Sequence, residues 1–161
     1  MPNMGTLVSS HNNKLLRQDA IQPAQGCNCK DGPHTCPLPT QDYQKDSVVY
    51  VASVGVEHYT GLTGGSFKDR YSKHNSDINL SKPSTTLSSH VLRLKEEGKP
   101  YTITWDIMDR APVFSPVSRK CRLCLKEIYY LMFKPESATL NQKKELFNTC
   151  RHKKQKLLCN S

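Results

Sequence analysis

A chain of 161 residues with Lys+Arg 23 against Asp+Glu 14, a formal net charge of +9, has the length of one domain with a modest core and the charge of a protein whose partner is a polyanion. It has no apolar run of about 18 residues and no apolar signal core, so neither a membrane span nor secretion is expected and a nuclear or intracellular location is read. Its seven cysteines are an odd number, which suits a full disulfide set poorly. Their C-x-C-x6-C and C-x2-C spacings point to thiolate metal ligands, with Zn2+ preferred over idle thiols.

Residues 1–26 are polar and without sustained periodicity, and are read as an arm or linker. Residues 27–47 form a cysteine-rich segment with Cys27, Cys29 and Cys36 around Gly32 and Pro33. It has too few apolar residues to fold alone, and a bound Zn2+ would supply the missing free energy. A fourth ligand is open between His34 in the loop and His74 further on.

Residues 48–161 read as the main domain. The β-branched run Val48 to Val51, Gly55, and the resumption from Val56 to Thr60 predict a hairpin, which Gly61, Gly64 and Gly65 end before a helix opens at Ser66. A two-residue loop at Val54-Gly55 would set Tyr50 opposite Tyr59; a longer loop or a bulge is the alternative, because Val tolerates positive φ badly. Ser66 with Asp69 reads as a helix cap, Phe67 with Tyr71 as an apolar face, and Arg70 with His74 as a pair on a more polar side. Asn75 to Ser84 reads as a polar loop, and Thr85 to Glu97 as a scaffold helix with Leu87, Val91 and Leu94 inward and Gly98 as its stop. His90 beside that stripe is read as packed or exposed, not as a ligand.

Tyr101 to Met108 alternates, with Ile103, Trp105 and Ile107 on one side, and predicts a third strand with Trp105 in the core. Asp109 to Lys120, with Pro112 and Pro116, reads as a loop. Cys121 and Cys124 then open a helix whose apolar positions are Leu125, Ile128, Tyr129 and Met132, with Glu127 off that stripe. Pro135 ends it, Asn141 can serve as an N-cap, and Gln142 to Thr149 reads as a last helix. Two helices joined by a short link run antiparallel, which would return Cys150 and His152 to Cys121 and Cys124 as a Cys3His Zn2+ site.

The tyrosines, with Val48-Val49-Tyr50 as a first motif and Tyr59-Thr60-Gly61 as a second, followed in order by Arg70, Glu127 and Asn141, resemble the GIY-YIG endonuclease family. Only the tyrosines and the last glycine match the motif name. The opening MPNMGTLVSSHNNKLL is similar to the link between reverse transcriptase and endonuclease in Penelope-like retroelements. The resemblance implies a small α/β fold, a three-stranded antiparallel sheet flanked by helices, with zinc-binding additions. It also implies a place at the C-terminal end of a polyprotein that carries a reverse transcriptase domain. For site residues it implies Tyr50 as general base, Tyr59 orienting the water or a phosphate oxygen, Glu127 as the ligand of Mg2+ or Mn2+, and Asn141 near the scissile phosphate. It further implies a Cys-Cys-His-His finger, under which His74 would join the upstream cysteines on Zn2+ instead of serving catalysis.

Phosphodiester hydrolysis needs an activated water and neutralisation of charge on the phosphate and the leaving oxygen. Arg70 offers a fork of donors for the phosphate, and His74, one turn on, a proton acceptor. Lys68, Arg119, Lys120, Arg122, Lys126, Arg151, Lys153 and Lys154 are candidate contacts to the DNA backbone, each with a plain solvated charge as its alternative. The competing function is a zinc-stabilised nucleic-acid-binding module without catalysis.

Overall fold

Strand β1, Asp46–Val54, grows from the β-branched run and becomes the centre of the sheet, with Val48 to Ala52 all buried because both of its faces are covered. The computed structural model describes residues 45–117, 119–142 and 149–153, all within a unit spanning Pro37–Ser161. Cys27, Cys29, His34, Cys36, Lys154 and most of the last expected helix lie outside the described residues.

Strand β2, Glu57–Ser66, pairs antiparallel with β1 through the two-residue turn Gly55-Val56. Gly55 takes φ +63° at the first central position, as a type II′ turn requires. The turn therefore sits one residue later than the expected Val54-Gly55 loop. Tyr50 faces Gly61, and Tyr59 faces Ala52, so the two tyrosines are diagonal neighbours instead of opposite partners. Gly61 is the residue that this register needs. A Cβ there would stand 2.6 Å from Tyr50 Oη, because the Tyr50 phenol lies across β2.

Helix α1, Phe67–Asn79, starts at the expected cap, where Ser66 Oγ accepts from the Asp69 N–H at 3.1 Å. It runs past the expected loop start at Asn75. Ile78 is buried, and Asp77 accepts from Lys73 Nζ at 3.0 Å and from Ser84 Oγ at 2.5 Å, which ties the polar turn to the next segment. The side expected to be more polar is turned inward: His74 is buried together with Phe67 and Ile78. Helix α2, Thr86–Glu96, closes a capping box between Thr85 and Ser88, buries Leu87 and Val91, packs against α1 and stops before Gly98 at φ +65°.

Strand β3, Ile103–Arg110, pairs with the other side of β1, giving a sheet of order β2-β1-β3, antiparallel throughout. It takes in Asp109 and Arg110, which were expected in a loop: a bulge between Val49 and Tyr50 restores the register, and Arg110 pairs with Asp46 at 2.6 Å. Trp105 is in the core, in edge-to-face and tilted contact with Phe67, Tyr71, His74 and Tyr50. The rest of the expected loop holds a two-residue ribbon, β4 Phe114–Ser115 with β5 Lys120–Cys121.

Helix α3, Arg122–Phe133, covers the opposite face of the sheet, where Leu123 and Cys124 join Val49, Leu62, Ala111, Cys121 and Cys150 in one core. Its buried residues are Leu123, Cys124 and Glu127, so the expected stripe was displaced: Leu125 and Ile128 pack at the core's margin, whereas Tyr129 and Met132 are exposed. A 3-10 turn, Pro135–Ser137, then leads the chain along the open edge of β2. The described residues thus form an α/β unit of three helices and a three-stranded antiparallel sheet with a small added ribbon.

Candidate functional site

Two groups of donors stand beside the sheet. The first is built on α1 and the hairpin. Arg70, half-buried, donates from Nε to Tyr50 Oη at 2.9 Å and also hydrogen-bonds Tyr59. Tyr50 Oη lies 2.7 Å from His74 Nε2. Arginine can only donate, so Tyr50 Oη accepts from Arg70, and the direction of its second bond, to His74, depends on whether Nε2 or Nδ1 carries the ring proton. That Nδ1 is buried without a hydrogen-bond partner in the structure.

Burial raises the pKa of Tyr50, and the nearby Tyr59 and Glu127 raise it further against the opposing pull of Arg70. Tyr50 is therefore a neutral phenol at rest. For Arg70, burial works against the charge but is outweighed by the two phenols, so its pKa is raised and the guanidinium stays charged. Burial, then the charges of Arg70 and Lys73, push His74 down to about 3 against the pull of Asp77, which makes it a neutral acceptor.

Glu127 stands on α3. The residue is 4 % exposed, its charge is felt by Tyr50, and Arg151 Nη2 lies 3.3 Å from its Oε2. A single carboxylate suits one hard divalent cation, whereas a two-metal arrangement needs further acids. Asn141 is placed differently from a free phosphate contact. Its Oδ1 accepts from the Thr60 N–H and its Nδ2 donates to the Thr60 carbonyl, both at 2.8 Å, so the side chain closes the edge of β2 as a further strand would. Leu140 and Thr139 continue this pairing on His58.

The second group is Cys121, Cys124, Cys150 and His152, whose ligand atoms all lie within 4.8 Å of one another. A tetrahedral Zn2+ with bonds of about 2.3 Å to sulfur and 2.0 Å to nitrogen would hold thiolate pairs about 3.8 Å apart and thiolate–imidazole pairs about 3.5 Å apart. Cys124 and Cys150 Sγ are 3.9 Å apart, and His152 Nδ1 is 3.5 Å, 3.4 Å and 3.8 Å from the sulfurs of Cys121, Cys124 and Cys150. This set can hold a metal ion such as Zn2+.

Cys121 caps α3 and Cys124 lies in its first turn, where the helix dipole favours thiolate. Without a cation, burial raises Cys121 and pushes Cys124 up to about 12. Cys150 is lowered instead, because backbone N–H groups of His152 and Lys153 outweigh its burial. Burial, then the Arg151 charge, lowers His152 and keeps it neutral for ligation. Gly64 was not singled out for this site from the sequence; a Cβ there would stand 3.1 Å from His152 Nε2.

Of the expected basic contacts, Arg119, Lys120 and Arg122 are exposed around the start of α3. Lys126 is paired with Asp109, Lys153 lies over the Phe114 ring at 5.4 Å, and Lys68 is half-buried at the start of α1. His90 bonds Arg93 at 3.1 Å away from both groups. The upstream cysteines that would share Zn2+ with His74 lie outside the described residues, and within them His74 serves Tyr50. The pairing of Arg151 with Glu127 had no signal in the sequence beyond the position of Arg151 between two expected ligands. No helix among the described residues is long and apolar enough to cross a membrane. No family model matches this chain, and neither a curated protein nor a solved structure does.

Proposed function

We propose that this chain is a divalent-metal-dependent DNA endonuclease domain of the GIY-YIG type, acting inside the cell, in the nucleus or elsewhere, as part of a Penelope-like retroelement polyprotein beside a reverse transcriptase. The observation that carries the reading is Arg70 bonded to both Tyr50 and Tyr59, with the buried Glu127 near enough for its charge to act on Tyr50.

In this reading Arg70 takes the scissile phosphate and exchanges its phenol contacts for phosphate oxygens. Tyr50 Oη accepts the proton of the attacking water as its own proton moves toward Nε2 of His74. This relay is uphill in the resting site, where burial raises Tyr50 and lowers His74, and it needs the change of charge brought by substrate. Tyr59 holds that water or a phosphate oxygen in line. Glu127 would hold Mg2+ or Mn2+, which when bound supplies charge neutralisation at the phosphate and the leaving oxygen. Asn141 acts by holding Thr60, and so the Tyr59 strand, in place. Arg119, Lys120 and Arg122 follow the DNA backbone, which gives affinity with little choice of sequence. Zn2+ on the Cys3His set fixes the start of α3 beside this surface.

The test is nicking of supercoiled plasmid in Mg2+ by the purified chain and by Glu127→Ala and Arg70→Ala. Each substitution should lower the rate by about a hundredfold or more with DNA binding retained. Equal nicking by all three proteins would overturn the reading. The ion pair of Glu127 with Arg151 favours one other reading, a zinc-stabilised DNA-binding module without catalysis, and salt-sensitive DNA binding with no nicking by the native chain would support it.

A further inference from the structure

Arg151 is flanked in sequence by two donors of the Cys3His set, Cys150 and His152, and its backbone N–H lies in the turn that wraps them. Its guanidinium leaves that turn and meets the Glu127 carboxylate at 3.3 Å. The two partners differ in environment: the side chain of Glu127 is 6 % exposed and that of Arg151 38 %. A buried carboxylate needs a counter-charge, and a half-exposed arginine can leave for solvent at small cost. A guanidinium and a divalent ion cannot share one carboxylate closely without repelling each other.

We infer that Arg151 is a positioning residue that occupies Glu127 as a resident cation, anchored by the Cys3His set, and competes with the divalent ion for the carboxylate. This rests on the reading of Glu127 as the ligand of that ion. The Cys3His set thereby has a second effect besides stability. It fixes the backbone on both sides of Arg151, which holds the root of that side chain within reach of Glu127. Release of Arg151 removes one positive charge from Glu127 and lets the guanidinium turn to a backbone phosphate.

The experiment is a titration of the zinc-loaded full chain with Mn2+ alone, followed by the electron paramagnetic resonance signal of free Mn2+, on the native protein, Glu127→Ala, Arg151→Gln and Arg151→Lys. Zinc content and thermal unfolding are measured in parallel. Arg151→Gln should bind Mn2+ about threefold to tenfold more tightly than the native chain, with zinc retained. Arg151→Lys, which keeps the charge, should stay near the native value and serves as the reference if the Gln variant folds poorly. Unchanged or weaker Mn2+ binding in Arg151→Gln, with Glu127→Ala abolishing it, would overturn this inference and leave the endonuclease reading standing. Mn2+ binding by Glu127→Ala equal to the native chain would overturn both.

Discussion

Around Tyr50 the polar groups answer one another: Arg70 donates to the phenols, and the Tyr50 phenol meets a neutral His74. Around Cys121 four donors gather at separations that suit a tetrahedral shell, and the set can hold a metal ion. The first group is held by burial and hydrogen bonds supplied by the fold. The second packs its three cysteines into the apolar core and can add to that the binding of an ion. The contrast teaches that one small sheet can gather a hydrogen-bonded polar group against α1 on one face and, on the other, set a candidate metal-ligand set into its apolar core.

The largest expected effect separates the two groups most sharply. Cys124→Ser should remove the bound Zn2+, measured by elemental analysis, and destabilise the domain by more than about 4 kcal/mol in chemical unfolding. Retention of both metal and stability would mean that the thiols need no ion, and the contrast would fail.

Acid should next reveal the Tyr50 group. An unfolded histidine takes up its proton near pH 6.5 and native His74 only near 3, so between those values acidification favours the unfolded chain. Stability from this residue is fully present above pH 6.5 and should fall by up to about 1.4 kcal/mol per unit below it. His74→Gln should flatten that slope in urea unfolding followed from pH 7 to pH 4, and an unaltered slope would place the acid sensitivity elsewhere.

Gly61→Ala comes third. Its methyl group would stand 2.6 Å from Tyr50 Oη, and moving the phenol should cost about 1–3 kcal/mol and loosen Arg70 while leaving the Zn2+ content unchanged. A loss of Zn2+ in this variant would show that the two groups are not independent. The smallest effect is expected for exposed Arg122→Ala, which should leave both groups intact and lower the slope of log K against log salt for duplex DNA by about 0.9. An unchanged slope would remove Arg122 from the phosphate contacts.

Much of this was legible because it is local. The β-branched run makes β1, Ser66 and Thr85 cap α1 and α2, the alternation around Trp105 makes β3, and C-x2-C at a helix start is a donor pair wherever the helix lies. The expected return of Cys150 and His152 to Cys121 and Cys124 is also met, although the last expected helix that motivated it lies mostly outside the described residues.

Relations between distant residues were beyond the sequence. Whether Gly55 is the first or the second turn residue moves the register, and only the paired strands decide that Tyr50 lies over Gly61 and diagonal to Tyr59. His74 and Glu127 look like polar surface by periodicity. They are buried because an aromatic cluster covers one, and because the stripe of α3 that meets the sheet holds Leu123, Cys124 and Glu127. Asn141 closes the β2 edge for the same kind of reason, since an open edge accepts any amide that can reach it. Backbone propensity and spacing act within a few residues and were determined by the sequence alone. Which charges share a pocket depends on packing summed over the whole sheet, and the tertiary structure decided it.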